Sequence, residues 1–232
     1  MLIFSMRIIF VRHGHPNYRK DCLTEEGHAQ AEAAALRLKD EGITEIHSSS
    51  CGRAVETAEH TAAHLGLTVT AHDFMREIGW GSVDGSELYM KGNPWHNIDA
   101  MIAQGQSLSS PNWRTEEPFR RNETVQYIDR VGEGIDAWLK GLGYEREGEF
   151  YRVTGTDTNR TVAMFSHGGS SCAALSHMFN IPFPLFCCSL TPGLTGITIV
   201  KLSDQVGTLA APRMELANDG RHIVQIEQVP SR

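Results

Sequence analysis

Residues 7–14 read RIIFVRHG and residues 161–169 read TVAMFSHGG. Each is an apolar, β-rich run that stops at a histidine followed by glycine, so each reads as a strand with a histidine at its carboxyl end. Thr24 follows the first of them as a helix N-cap, with Glu25 and Glu26 complementing the dipole in the first turn. Ala31, Ala34, Ala35 and Leu38 fall at helical spacing, and Gly42 suits the helix end. Residues 43–47 read as a second strand. A second helix starts near Gly52, is lined by Ala54, Ala58, Ala62 and Leu65, and ends at Gly66. Residues 67–71 read as a third strand. The alternation βαβαβ predicts an α/β fold, with a mostly parallel central sheet flanked by helices on both faces.

Residues 86–122 break this rhythm. They carry Trp95, Trp113, Pro94, Pro111 and Pro118 with weak periodicity, and read as an inserted cap within a single domain of residues 1–232. Val125, Ile128, Val131, Ile135 and Trp138 mark a strong helix. Residues 148–160 read as an irregular or hairpin connection, a small-residue helix runs to Phe179, and residues 197–202 and 213–216 are closing strands.

Ligands in open parallel sheets bind outside the carboxyl ends of the strands. Glycine there admits backbone N–H groups to an anion, and a helix start adds a positive dipole end. One histidine at a strand end is ordinarily structural. Two of them, His13 and His167, with Arg12 beside the first, point to a site. Arg53, in the first turn of the second helix, faces a like-charged dipole end, which an anion would offset. Guanidinium groups match phosphate oxygens two at a time. Glu77, in the loop after the third strand, is a candidate proton donor, and Asp84 is the rival carboxylate.

The ordered set resembles the histidine phosphatase superfamily, also called phosphoglycerate mutase-like. Arg12-His13-Gly14 comes first, followed by residues 49–58 with Arg53, Glu77 before a glycine-rich loop, and Ser166-His167-Gly168. The resemblance implies a phosphate pocket of Arg12, Arg53, His13 and His167, with His13 as nucleophile and Glu77 as proton donor. It implies a metal-independent phosphomonoester hydrolase without cofactors. His15 and Asn17 stand near positions where many members carry pocket residues, and are candidates for substrate binding.

Bulk properties frame these expectations. With 232 residues the chain can bury a substantial core. A formal net charge of −7 offers no basic field for nucleic acid, so an anion site must be a local cluster. The substrate is expected to be a phosphorylated small molecule. The apolar start of the chain reads as a buried strand, too short to span a bilayer and lacking the flanks of a signal peptide. Five cysteines, Cys22, Cys51, Cys172, Cys187 and Cys188, without CxxC spacing, suit buried thiols in a reducing cytoplasm.

Three rival readings remain: a phosphoglycerate mutase, a non-catalytic phospholigand-binding protein and a metalloenzyme. The last has little support, since His60 and His64 on the second helix lack a glutamate base and read as helix surface. The sequence leaves the substrate and the oligomeric state open.

Overall fold

The computed structural model describes residues 5–155 and 160–223. Strand β1 (Ser5–Arg12) leads into two short strands, β2 (Pro16–Asn17) and β3 (Cys22–Leu23), and then helix α1 (Glu25–Leu38). Strand β4 (Ile43–Ser49), helix α2 (Gly52–Leu65) and strand β5 (Val69–His72) follow. Next come α3 (Pro94–Ala103), α4 (Thr124–Gly141), β6 (Tyr144–Glu147), β7 (Phe150–Val153) and β8 (Thr161–Ser166). The chain continues through α5 (Gly168–Phe179), α6 (Phe183–Ser189), β9 (Ile197–Ser203), β10 (Leu209–Ala210) and β11 (Arg213–Asp219).

The main sheet has the order β11-β9-β1-β8-β4-β5. The pairs β1/β8, β8/β4 and β4/β5 are parallel, while β9 runs antiparallel to both β1 and β11. The two closing strands therefore add an antiparallel edge to a parallel centre. Side chains of β1 alternate between faces, as a strand requires. Ile9 and Val11 pack with Leu38, Ala58 and Ala62 of α1 and α2. Ile8 and Phe10 join the larger cluster on the other face, with Ile128, Val131 and Ile135 of α4 and Cys172 to Leu175 of α5. The helices thus cover both faces.

Local departures from the sequence reading have plain causes. The first helix caps as expected, with Thr24 Oγ1 accepting from Gly27 N–H at 3.1 Å. It ends at Lys39, and Gly42 instead takes a left-handed turn, φ +72°, that leads into β4. The connection expected at residues 148–160 holds the strand β7, which pairs antiparallel with β6; residues 156–159 of it lie outside the described residues. Helix α6 was not anticipated, because FPLFCCS offers no polar face to set a helical period.

The segment between β5 and α4 is tied down at both ends and in its middle. Asn122 accepts from Gly81 N–H and Thr124 N–H, at 3.4 and 3.0 Å, and donates to the Gly92 carbonyl at 2.6 Å. Trp113 and Phe119 are buried against each other and against Phe183 of α6. Ile98 and Met101 of α3 belong to the same apolar cluster. Among the described residues no single helix is long and apolar enough to cross a membrane.

Candidate active site

Sheet register brings the two histidines together. Arg12 and Ser166 are partners in the parallel pair β1/β8, so His13 and His167 leave the sheet side by side. His13 N–H donates to the Ser166 carbonyl at 2.9 Å, and the two imidazole rings meet edge to face at 5.1 Å. Both histidines are buried.

His13 Nδ1 lies 2.7 Å from the Gly14 carbonyl. A carbonyl only accepts, so Nδ1 carries the proton and Nε2 keeps its lone pair. Arg53 Nε lies 3.4 Å from that Nε2. The His13 pKa falls from 6.5 to about 4: burial is the largest cause, and the guanidiniums of Arg53 and Arg12 add to it against the bond to Gly14. The ring is therefore neutral near pH 7, with desolvation contributing more than the positive neighbours. His167 is pushed well below its ordinary value in the same way, by burial first and then by Arg53, His13, Arg12 and Arg76.

Arg12 reaches from the end of β1 towards the start of α5. Its Nη1 donates to the Pro192 carbonyl at 2.7 Å, its Nε has no partner among the described residues, and its Cζ lies 3.6 Å from where a Cβ on Gly168 would stand. Arg53 is held from the side by Asp21. One carboxylate oxygen takes its Nη1; the other accepts from Gly52 N–H at 2.8 Å. Asp21 thus closes the start of α2, where the local residue Cys51 provides no side-chain cap. Tyr18 covers the Arg53 guanidinium at 5.4 Å.

Glu77 sits under the first turn of α5. Its Oε1 accepts from Ser170 N–H and Ile78 N–H, each at 3.0 Å, and Oε2 accepts from Gly169 N–H at 3.4 Å. Burial nonetheless outweighs these three donors and raises its pKa. Gly169 is what admits the carboxyl group: a Cβ there would stand 2.4 Å from Ile78 Cγ1 and 2.7 Å from Glu77 Oε1. Asp84 has a different setting. It is exposed, accepts from Ser82 Oγ at 2.8 Å and Ser86 N–H at 2.9 Å, and is held well below the usual carboxylate range by the Ser86 hydroxyl first and then by these two bonds.

Gly14 has a reason other than anion approach. A Cβ on it would stand 2.5 Å from the Gly27 carbonyl oxygen, so the two glycines let the turn after β1 lie against α1. His15 and Asn17 occupy this turn region. His15 Nδ1 contacts Thr24 Oγ1 at 2.9 Å, and Asn17 Oδ1 accepts from Lys20 N–H at 3.3 Å. His60 and His64 share the Glu32 carboxylate on the outside of α1 and α2. Among the described residues no group of three His, Cys, Asp or Glu side chains is arranged to hold a metal ion. All five cysteines are free; Cys51, Cys172 and Cys187 are buried, and Cys188 is exposed.

The profile of the histidine phosphatase superfamily, branch 1, matches residues 8–213. The chain belongs to that superfamily. A Yersinia pestis protein named "Probable phosphoglycerate mutase GpmB" is 33% identical over 92 residues, which cover 36% of this chain and 43% of that one. The chain thus spans less than half the length of the curated relative it matches. Among solved structures, the mycobacterial glucosyl-3-phosphoglycerate phosphatase in complex with inorganic phosphate superposes with a TM-score of 0.63 at 24% identity, covering 93% of this chain and 98% of that one. The phosphoserine phosphatase of Entamoeba histolytica in complex with 3-phosphoglyceric acid gives 0.62 at 19%, covering 94% and 99%. At these identities the two structures speak to the fold.

Sequence reading assembled Arg12, His13, Arg53, Glu77 and His167, and the fold brings these five into one place. It missed Ser49 and Asp21. Ser49 was visible only as one of three serines at a strand end, and nothing marked which of them would face His167.

Proposed function

We propose that this protein is a phosphomonoester hydrolase that works through a phosphohistidine on His13. The observation that carries the reading is the state of that ring: buried, neutral, protonated at Nδ1 by the Gly14 carbonyl contact, and with Nε2 facing Arg53.

The reaction would run in two steps. His13 Nε2 attacks phosphorus while Glu77 gives its proton to the departing oxygen, so the alcohol leaves neutral and Glu77 becomes a carboxylate. Arg12 and Arg53 neutralise the charge on the equatorial oxygens and His167 helps to position them, which is most of what phosphoryl transfer requires. Water then attacks the phosphohistidine as Glu77 takes its proton, releasing phosphate and restoring both groups. In this reading the two guanidiniums supply the positive charge and the neutral His167 supplies a hydrogen bond, with no metal ion required. His15 and Asn17, on the loop that reaches Arg53 through Asp21 and Tyr18, are the candidates to contact the rest of the substrate.

The substrate is a phosphorylated small molecule in this reading, in keeping with the phosphorylated ligands named for the two solved structures. The test is a hydrolysis screen over sugar phosphates, nucleotides, phosphoglycerates and phosphoamino acids, with His13→Ala as the blank. Brief exposure to a turned-over substrate should leave acid-labile phosphate on His13 by mass spectrometry. Phosphate found on serine, aspartate or cysteine instead would sink the mechanism.

A further inference from the structure

We propose that Ser49 is a positioning residue that fixes the tautomer of His167, holding its proton on Nδ1. Ser49 ends β4, and the register of β4 with β8 pairs Ser48 with Phe165, so Ser49 leaves the sheet beside His167. Both residues are fully buried. Ser49 Oγ lies 2.8 Å from His167 Nε2.

Two orientations of this contact are chemically possible, and the surroundings of Ser49 separate them. Its Oγ already accepts from Cys51 N–H at 3.2 Å. If Oγ also accepted from a protonated Nε2, the hydroxyl hydrogen would have no acceptor inside a buried pocket, which is costly. If Oγ instead donates to Nε2, the hydroxyl is satisfied in both roles. His167, being neutral, then carries its one proton on Nδ1.

The other side of the ring agrees. Nδ1 has no hydrogen-bond partner among the described residues. The Ser170 N–H, in the first turn of α5, stands within capping reach of the His167 side chain, but its well-aligned bond is to Glu77 Oε1 at 3.0 Å, and Nδ1 makes none. Nδ1 is thereby left as a donor that can serve an oxygen of the transferring phosphoryl group. In the opposite tautomer it would present a lone pair to an anion. Partners that orient metal-binding histidines are worth about 10- to 100-fold in activity, and Ser49 would orient His167 by the same kind of bond.

The kinetic consequence rests on the proposed phosphoryl transfer, whereas the tautomer itself does not. Long-range ¹⁵N–¹H correlation spectra of the labelled full chain, with His167→Gln to assign the ring, should find Nδ1 protonated and Nε2 bare in the wild type. Ser49→Ala should shift the ring towards Nε2–H and lower kcat by roughly 10- to 100-fold while KM stays within about two-fold. A wild-type His167 protonated on Nε2 overturns the proposal without reference to any variant. So does a Ser49→Ala protein that loses activity with its tautomer unchanged, since that is a packing role. Should His13 prove not to carry phosphate, the spectra alone still decide the tautomer, and only the effect on kcat falls away.

Discussion

Arg53 Nε faces His13 Nε2 across 3.4 Å, and the carboxylate of Asp21 grips the far side of the same guanidinium. Arg53 is therefore aimed at the atom that would bond to phosphorus, by a residue on a separate loop. Asp21 can do this because it takes a left-handed conformation, φ +51°, that sets one carboxylate oxygen on Gly52 N–H and the other on Arg53. Arg53→Ala removes a donor to the transferring group and should lower kcat/KM by about 10²- to 10³-fold. Asp21→Ala leaves Arg53 in place but free to turn, with an expected loss of about ten-fold. Steady-state kinetics alongside thermal melting check both. Equal rates for Asp21→Ala and wild type would show that Arg53 needs no such partner.

The pH profile follows from the two shifted groups. Protonated His13 has no lone pair on Nε2, so activity rises as pH climbs through its lowered pKa, about 4. Glu77 is the acid only while protonated, and its pKa is raised, so that contribution is lost as pH rises through a value above the ordinary carboxylate range. The expected profile of kcat/KM is a bell whose rising limb is set by His13 near pH 4 and whose falling limb lies above the ordinary carboxylate pKa. Glu77→Gln should abolish the falling limb, once the ionisation of the substrate is allowed for, and keep the rising one. It should also slow substrates with poor leaving groups far more than activated aryl phosphates. If Asp84→Asn gives that selective defect instead, the acid has been misplaced.

Gly169 gives a second handle on the same group. A methyl there would overlap Ile78 Cγ1 and crowd Glu77 Oε1, both inside van der Waals distance. Something must shift, and the carboxyl group lies directly in the way. Gly169→Ala should therefore mimic Glu77→Gln: a large loss on alkyl phosphates, a small one on aryl phosphates, and phosphohistidine formation still detectable with the aryl substrate. A uniform loss on both classes would mean that the methyl disturbs the phosphate pocket rather than the acid.

What the sequence disclosed was whatever lies on one strand or one turn. The strand–histidine–glycine pattern located His13 and His167 because a buried parallel strand is a short apolar run with its ligand-facing residue next in line. The cap at Thr24 and the helix face of Ala54, Ala58 and Ala62 were legible for the same local reason. Relations set by register or by a turn far away in sequence were not. Ser49 meets His167 only because β4 and β8 are neighbours, and Asp21 meets Arg53 only because a non-glycine residue adopts positive φ. The low pKa of His13 owes more to burial than to its positive neighbours, and burial depends on the packed fold.

The acceptor of the phosphoryl group is the last expected outcome: water takes it in preference to a second substrate hydroxyl. A mutase must retain a bisphosphorylated intermediate through two transfers, which requires a second cluster of positive charge facing the first and exclusion of water. Residues 78–106, which follow the acid, contain Lys91 as their sole lysine and no arginine. Three arginines that follow in the cap are engaged with carboxylates. Arg114 pairs with Asp129 at 2.9 Å and lies over Trp113, while Arg120 and Arg121 both pair with Glu117, at 2.9 and 3.3 Å. These pairs are exposed and weak, so they do not forbid a rearrangement. They do mean that a second anion would have to compete for each guanidinium. Supplying 3-phosphoglycerate with a trace of the 2,3-bisphosphate, and following isomerisation and free phosphate together, separates the two reactions. Phosphate release should exceed isomerisation, and Arg120→Ala with Arg121→Ala should leave it within about three-fold, the scale of surface charge effects below 1 kcal/mol. Isomerisation much faster than release would make the protein a mutase built on the same His13 chemistry.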